Sequence, residues 1–424
     1  MNRRKLIRSL GMSLAAGTLF SFTDKYSRQP DSLSAEIPQA RAEDEKFWKK
    51  FARTHYKVSD KFINLENGYF GVQPKMVQTA YLENIKKVNE YSSNYMRTEY
   101  AGDYKNIVSG LASFAGIKSE ETLITRNATE AMNIIIQGMD WKPGDEVILH
   151  RQDYFSMIET FQMLEKEKNI KINYIRIPLV PESDQQIIDT YKEAVSERTK
   201  CILVTHLLHM TGQIMPVSKL AEEFKPRGIE VIVDAAHSFA QLDFKLPDLG
   251  ADFIGVNLHK WFSNPLGAGM LYVRQERIKD LKPFYGDYGS EEGAIRKLGH
   301  CGTLAAPVIM TIPVARSFND MITLPVKEKR LRYLQNYWTS RAEKIDRVAI
   351  TTPVEAARSC ALASFKIEGI SADVVVKNLH EKHGVFTVIR NLENDQVVRV
   401  TPNLYNNSDD LNRLLEGIQV LARS

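Results

Sequence analysis

Three side chains that could carry out chemistry follow two apolar runs near the middle of the chain. Asp234 and His237 follow the run in IEVIVDAAHSFAQ, and Lys260 follows the run in DFIGVNLHKWF. Lysine is strongly hydrated and is seldom buried without a partner. An ammonium placed beside Trp261 and Phe262 therefore indicates either an ion pair or a chemical role.

Two upstream segments carry groups that fit the chemical role. TRNATEAMN places Asn127, Ala128 and Thr129 at the start of an amphipathic helix, where free N–H groups and the helix dipole bind phosphate. A simple N-cap would use the same residues. DEVILHRQDYFSM places Tyr154 just after a strand, where its ring either stacks on a flat cofactor or lies on the surface.

A lysine, a carboxylate, a phosphate-binding helix and an aromatic ring together favour pyridoxal 5'-phosphate (PLP) as the cofactor. In this interpretation Asp234 keeps the pyridine nitrogen protonated, so that the ring draws electrons from a carbanion. Lys260 forms a Schiff base with the aldehyde and later moves the α-proton of the substrate. That second task requires a pKa lowered by burial and by nearby positive charge.

The elements that must position these groups are seven apolar runs that alternate with helical patterns. The runs are ETLITRN, DEVILHR, KINYIRI, KCILVTHL, IEVIVDAAH, DFIGVNL and AGMLYVR. They predict an α/β fold whose mostly parallel sheet is covered on both faces and binds ligands beyond the carboxyl ends of its strands. After about residue 310 a long charged helix, a helix from Ala372 to Lys382 and further strands predict a smaller α+β domain. Ser408 is the predicted N-cap of the last helix.

Composition and charge limit the classes of function. The 424 residues are 43% hydrophobic and 25% charged, which is typical of a globular enzyme with two domains. The net charge of +4 is small and lysines and arginines are interleaved with acids, so we expect no nucleic-acid partner. Cys201, Cys301 and Cys360 form no CxxC pair and the histidines no HExxH pair, so we expect no metal site. The sequence does not exclude one disulfide between two of the three cysteines.

The first residues have the features of an export leader. MNRRKLIRSLGMSLAAGTLFSF begins with adjacent arginines and continues with an apolar segment too short to span a bilayer permanently. It resembles a twin-arginine signal, with ARA at 40–42 as a candidate cleavage site, which implies a periplasmic location. A disordered leader on a cytoplasmic protein and a retained membrane anchor are the alternatives.

These features predict the following organisation: a signal over 1–22, a linker over 23–45, an N-terminal segment over 46–75, a large PLP-binding domain over 76–310 and a small domain over 311–424.

The motifs together resemble the class V aminotransferases, the group that holds cysteine desulfurases and isopenicillin N epimerase-like proteins. The resemblance rests on VDAAHSFAQ, VNLHKWF, TRNATEAMN and HLLHMTGQIMPV, and extends from INLENGYFG to RVTPNLYNNSDDLNRLLEGI. It implies PLP fold type I, with a seven-stranded sheet between layers of helices, an amino acid as substrate, and a homodimer.

The resemblance also implies roles around the cofactor. Lys260 is the Schiff-base lysine, Asp234 the partner of the pyridine nitrogen, and His237 a hydrogen-bond donor near the ring oxygen. The other implied cofactor contacts are Asn127, Ala128, Thr129 and His259 for the phosphate, and Tyr154 and His209 for the ring. His209 stands where many relatives have asparagine.

Further residues are implied at the substrate and at a subunit interface. Arg399 in VVRVTPNLYN matches the arginine that clamps the substrate α-carboxylate, a bidentate task that suits a guanidinium. The alternative for Arg399 is an exposed strand residue. Asn67 and Tyr69 are expected near the substrate, and Thr303 in GHCGTLAAP is expected to reach the phosphate of a neighbouring subunit.

Several reactions remain open. Desulfurases of this family carry a nucleophilic cysteine after the segment equivalent to GVFTVIRNLENDQ, where this chain has none. Transamination needs a lysine base and exchange with an oxo acid, epimerisation needs a second acid or water, and C–S or β elimination needs a leaving group. We expect transamination, with epimerisation or elimination as alternatives, although INLENGYFG is more similar to the epimerase-like branch. A non-catalytic binding module of the same fold is the other alternative; an intact Lys260, Asp234 and Arg399 oppose it.

Overall fold

The computed structural model of the protein describes residues 36–37, 40–287, 289–353, 355–392 and 395–424. The predicted signal over 1–22 lies outside the described residues, as does most of the predicted linker over 23–45. The described end of that linker leads into the first helix, whose N-terminus is capped by Asp44. Within the described ranges, no helix is both long and apolar enough to cross a membrane.

A seven-stranded sheet forms the centre of the molecule, as the sequence predicts. After a short strand β1 (Ile63–Asn64), its members are β2 (Thr122–Thr125), β3 (Glu146–His150), β4 (Lys171–Ile175), β5 (Thr199–Thr205), β6 (Glu230–Asp234), β7 (Phe253–Asn257) and β8 (Gly269–Val273). The spatial order is β2-β8-β7-β6-β5-β3-β4. Strand β8 runs antiparallel to β2 and β7, and the other neighbours are parallel. Each of the seven apolar runs contains one strand.

Helices cover both faces of this sheet. The α-helices in the described part of the chain, including those of the C-terminal part, are α1 (Glu45–His55), α2 (Lys75–Thr98), α3 (Tyr100–Ala115), α4 (Ala128–Gly138), α5 (Phe155–Lys168), α6 (Asp184–Ala194), α7 (Val217–Phe224), α8 (Ala306–Ile322), α9 (Leu324–Ala342), α10 (Ala372–His383) and α11 (Ser408–Ala422). Because successive strand residues point to opposite faces, Val231 and Val233 join one apolar cluster and Ile232 joins the other. Two-sided burial explains why the strands are continuously apolar.

The C-terminal part forms a second sheet of β12 (Val388–Leu392), β13 (Asp395–Val400), β10 (Ala363–Ile367) and β9 (Val348–Ile350), in that spatial order and antiparallel. Helices α9, α10 and α11 share its apolar cluster. Strand β11 (Val385–Phe386) pairs in parallel with β1 in a separate two-stranded sheet, which joins the N-terminal segment to the C-terminal part of the chain.

Two sequence predictions concern this region: the domain boundary at 310 and the N-cap of the last helix. The predicted domain boundary at 310 falls inside α8, whose buried residues from Val308 to Ile322 pack in the cluster of the large sheet; the division itself remains a prediction. The N-cap of α11 is Asn407 rather than Ser408. Asn407 accepts a hydrogen bond from the N–H of Asp409 and forms a capping box with Asp410, while Ser408 is the first helical residue.

Candidate active site

Lys260 lies at the edge where the parallel strands end. It follows β7 by three residues, and its Nζ is 2.8 Å from Nε2 of His237. Asp234 is the last residue of β6, the parallel neighbour of β7. The structure therefore brings Asp234, His237 and Lys260 to one point of the sheet edge.

The surroundings of Lys260 favour its neutral form. Enclosure by protein is the largest effect and lowers the pKa of Lys260 from 10.5 to about 7; the negative charge of Asp234 opposes this and the positive charge of Arg399 adds to it. Burial, followed by the charge of Lys260, holds the pKa of His237 well below 6.5. An amine with a pKa near neutrality is suited to attack a carbonyl and to accept a proton.

Asp234 is a buried carboxylate with little hydrogen bonding from the protein. Its Oδ1 accepts one hydrogen bond from the N–H of Ala236, at 2.9 Å. Burial raises the pKa of Asp234, while the Ala236 N–H and the charge of Lys260 lower it. A buried carboxylate in this setting stays ionised only beside a cation.

A second buried acid, Asp153, lies next to Asp234. Asp153 accepts hydrogen bonds from the Thr205 hydroxyl at 2.7 Å and from the His150 N–H at 2.9 Å, and Thr205 pairs with Asp234 in the sheet. His150 Nδ1 accepts from the N–H of Gln152, so the protonated Nε2 faces Asp153 Oδ1 at 3.0 Å. The charge of Asp153 contributes to the raised pKa of Asp234.

The start of α4 is partly hydrogen-bonded within the protein. Asn127 caps the helix by accepting from the N–H of Glu130 at 2.8 Å. The N–H of Ala128 donates to Oδ1 of Asn257 at 2.7 Å, and the contact of Ala128 with phosphate stays a prediction. In the described chain, the N–H and hydroxyl of Thr129 and the N–H and Nδ2 of Asn127 are donors of this turn that have no hydrogen-bond partner in the protein.

His259 lies close to the same helix start. It follows Asn257 by two residues, and Gly269, which pairs with Asn257, is so close to Asn127 that a Cβ on it would lie 2.5 Å from the Asn127 carbonyl carbon. Nδ1 of His259 is 3.3 Å from the carbonyl oxygen of Ala268. Burial and the charge of Lys260 lower the pKa of His259 to about 4, so its ring is neutral.

The two residues expected at the cofactor ring contact each other. Tyr154 and His209 have ring centroids 5.4 Å apart and nearly perpendicular planes. Burial and then the charge of Asp234 raise the pKa of Tyr154. Burial, followed by the charges of Arg399 and Lys260, lowers the pKa of His209 well below 6.5. Both side chains therefore lie within electrostatic reach of the Lys260 site.

Arg399 is buried, not an exposed strand residue. Its side chain is 1% exposed and donates to the carbonyl of His209 at 2.8 Å and to Oε1 of Glu66 at 2.5 Å. Arg390, on the neighbouring strand, has a guanidinium nitrogen 3.6 Å from the same Glu66 oxygen. Burial lowers the pKa of Arg399 to about 10. A substrate carboxylate would therefore share Arg399 with Glu66.

The INLENGYFG segment lines the site through its backbone more than through the side chains predicted. The amide of Asn67 is buried and fully engaged, donating to the Thr401 carbonyl at 2.8 Å and accepting from the Tyr405 hydroxyl at 2.7 Å. Tyr69 is 70% exposed. Gly71 packs so closely that a Cβ would lie 2.2 Å from the carbonyl oxygen of Lys260, so only glycine fits there.

Thr303 is exposed. The segment around it lies beside the start of α4, because Gly299 contacts Leu123 and the Cys301 thiol is within electrostatic reach of Glu130.

Burial raises the pKa of Cys360 to about 12 and that of Cys201 further. All three cysteines are free thiols, so none forms the disulfide that the sequence left open.

Sequence reasoning missed four residues at this site. They are Glu66, Arg390, Asn257 and Asp153. Glu66 lies inside INLENGYFG, and Asp153 directly precedes Tyr154. Glu66 and Asp153 could have been found from the sequence, because each is an acid close to a residue already predicted at the site.

The free groups at this edge fit a flat phosphorylated pyridine. Nδ1 of His209 and Nδ1 of His237 are buried without a partner in the described part of the chain. Buried polar atoms usually have hydrogen-bond partners, so these two nitrogens are available to a bound group. Thr129 and His259 would hold the phosphate, Asp234 the ring nitrogen and His237 the ring oxygen.

Comparison with known proteins agrees with this site. A family model described as aminotransferase class-V matches residues 74–414. The chain belongs to the class V aminotransferase family. Its cofactor is therefore PLP, and its family acts on small amino acid substrates.

Individual members of the family are distant from this class V protein. It is 24% identical to isopenicillin N epimerase of Streptomyces clavuligerus over 331 residues, which are 74% of this chain and 83% of that protein. It is 28% identical to a cysteine desulfurase of Haloferax volcanii over 240 residues, 54% of each chain.

Solved structures share the fold. The apo cysteine desulfurase from Thermococcus onnurineus NA1 superposes with a TM-score of 0.78 at 21% identity, covering 88% of this chain and 98% of that one. The cystine C-S lyase C-DES in complex with cysteine persulfide gives 0.76 at 20% identity, covering 85% and 97%.

The lowered pKa of Lys260 predicts the pH dependence of cofactor attachment. Only a neutral amine attacks an aldehyde, so in cofactor-free protein the attachment rate should be flat above about pH 8 and fall about tenfold per unit below pH 7. Asp234→Asn removes the charge that raises the pKa of Lys260, so its curve should move to lower pH. Borohydride quenching at timed intervals followed by intact mass measures the rate. A wild-type curve centred near 10.5, the ordinary lysine value, would refute the enclosed amine.

Proposed function

We propose that this class V protein is an aminotransferase that exchanges an amino acid with a 2-oxo acid, using Lys260 as cofactor attachment point and base. The observation that carries the proposal is the Lys260 amine, which has a pKa near neutrality at the sheet edge and lies 2.8 Å from His237. Transamination moves one proton between two carbons, and one base suffices for that.

The neighbours of Lys260 are poor proton donors, which favours transamination over epimerisation. The pKa of His209 and that of His237 lie well below 6.5, so neither ring carries an acidic proton at neutral pH. The raised pKa of Tyr154 makes it a weaker acid. Epimerisation requires a second proton donor, which these side chains supply poorly.

Bound PLP supplies the electron withdrawal that makes the α-proton of an amino acid acidic. The protein's residues do the rest. Arg399, kept in place by Glu66 and the His209 carbonyl, would bind and orient the substrate α-carboxylate. Lys260 would take and return the proton, and Asp234 would hold the cationic ring nitrogen.

Amino-acid epimerisation is the second candidate, supported by the likeness to isopenicillin N epimerase over 83% of that protein. Persulfide-forming desulfuration has less support, because the described residues of the β12–β13 hairpin include no cysteine and the buried thiol of Cys360 has a pKa of about 12. A C–S or β elimination needs no such cysteine and is the third candidate.

Incubation of PLP-loaded protein with a panel of L- and D-amino acids and 2-oxo acids should separate these reactions. We expect one amino acid to yield its oxo acid together with a new amino acid, because Lys260 acts as a single base. Chiral chromatography and mass spectrometry of the products measure this. Loss of stereochemistry without an oxo acid would replace the proposal by epimerisation, and ammonia with pyruvate would replace it by elimination.

Lys260→Ala is the control in this panel and should lose turnover in every case. Fully loaded wild-type protein that turns over no member of the panel would support the non-catalytic binding module instead.

We further propose a homodimer in which Thr303 contacts the cofactor phosphate of the partner subunit. Its support is that Thr303 is exposed on a segment beside the start of α4, where Thr129 keeps free donors. A closed two-fold dimer would place this segment of each subunit at the site of the other.

Subunit complementation tests the shared site. Lys260→Ala and Thr303→Asp should each be nearly inactive alone, the latter because its carboxylate repels phosphate. Co-expressed with two tags, they should recover about a quarter of wild-type activity, since half of the dimers carry one intact site. Activity that stays near zero in isolated mixed dimers, or a fully active Thr303→Asp protein, would exclude cross-subunit binding.

We propose that the leader over 1–22 exports the folded enzyme to the periplasm. Buried Arg330 donates to the Ala42 carbonyl at 2.7 Å, and Trp48 donates to the Arg41 carbonyl. Cleavage after Ala42 would remove both acceptors, so the mature chain should begin between residues 23 and 41. N-terminal sequencing of protein from the periplasmic fraction of a host with twin-arginine export checks this. Full-length protein confined to the cytosol would contradict it.

A further inference from the structure

The loop that carries Lys260 is fastened at successive backbone carbonyls by separate parts of the protein. The His259 carbonyl accepts from the N–H of Gly71 at 2.9 Å, and the Lys260 carbonyl accepts from the N–H of Ser263 at 3.1 Å. The next two carbonyls, of Trp261 and Phe262, are held by side chains that come from helices α9 and α8.

Lys327 and Asn319 are those side chains. Lys327 Nζ donates to the Trp261 carbonyl and, at 2.9 Å, to Oδ1 of Asn319. The amide nitrogen of Asn319 donates to the Phe262 carbonyl at 3.0 Å. Lys327 is 2% exposed and Asn319 1%. The pair therefore binds the backbone carbonyls of the two residues that directly follow Lys260.

The corner between the two helices brings the pair together. Thr323 alone connects α8 to α9 and has a left-handed backbone with φ of 67°, which is uncommon for a β-branched residue. Asn319 lies in the last turn of α8 and Lys327 in the first turn of α9. Their side chains thus converge on the Lys260 loop from two directions.

Burying the amine of Lys327 costs free energy that an apolar side chain filling the same space would not cost. A buried amine loses its hydration, and the first turn of a helix is the positive end of its dipole. Burial lowers the pKa of Lys327 to about 7, and the Cys360 thiol is the titratable group within its electrostatic reach. A methionine would fill the same volume without this cost.

We infer that Lys327, together with Asn319, is a positioning residue that holds the Lys260 loop so that the Lys260 amine stays enclosed beside Asp234 and His237. The inference rests on the role of Lys260 proposed above. Ser263, whose φ is 63°, shows that the loop adopts an unfavourable backbone conformation, which needs such external support.

Lys327→Met tests the inference in full-length, PLP-loaded protein. With the carbonyl of Trp261 released, the loop should gain freedom and water should reach the Lys260 amine. The midpoint of the pH titration of the cofactor's visible absorption band should then rise by about half a unit or more. The kcat for the identified amino acid should fall about tenfold, with KM within about twofold.

Lys225→Met is the matched control. Lys225 also donates to a backbone carbonyl, that of Gly250 at 2.8 Å, and to Asp252, but it lies outside the Lys260 site. Thermal unfolding measures how each substitution changes stability, while the spectral titration should shift only in Lys327→Met. A Lys327→Met protein that is less stable but has the wild-type titration and kcat would overturn the inference.

Asn319→Ala is a second test of the positioning role, and it is the deciding test if Lys327→Met does not fold. It frees the Phe262 carbonyl and should shift the titration in the same direction. An unshifted midpoint in folded Asn319→Ala would equally overturn the inference. The titration needs only bound cofactor, so it remains interpretable if no amino acid is turned over and the proposed transamination fails.

Discussion

An amine enclosed next to a carboxylate is the condition on which the rest of this structure depends. The pKa of Lys260 is low because protein atoms replace much of its water, and this same replacement makes its position expensive to maintain. Asp234 offsets part of the cost through its charge. The buried Asp153 and His150 then fix the environment of Asp234, so the chemistry of one lysine extends over three strand ends.

The small domain contributes to this arrangement through charge. Arg399 lowers the pKa of Lys260, although it belongs to a different sheet, and Glu66 limits that effect by pairing with Arg399. Arg390 shares the same carboxylate. Two guanidinium groups and one carboxylate leave a net positive charge, which suits the carboxylate of an incoming amino acid.

The sequence predicted the large sheet and the grouping of Asp234, His237 and Lys260 because strands buried on both faces are continuously apolar and end at a common edge. It does not show interactions that depend on a distant residue. The N–H of Ala128 is taken by Asn257, which lies far along the chain. Lys327 belongs to a helix whose many charges suggest exposure, and only tertiary packing shows that it is buried. Ser408 and Asn407 are equally good caps by type, so sequence alone could not choose.

The segment from Ile63 to Gly71 joins the beginning of the chain to its end. It pairs with β11, its Glu66 binds Arg399 more than three hundred residues later, and its Gly71 supports the loop of Lys260. The pair of Glu66 and Arg399 can form only after β13 has been synthesised, and closing so long a loop is slow. The large sheet can therefore assemble during translation, whereas the substrate pocket is completed last and only in a chain whose C-terminal strands are present.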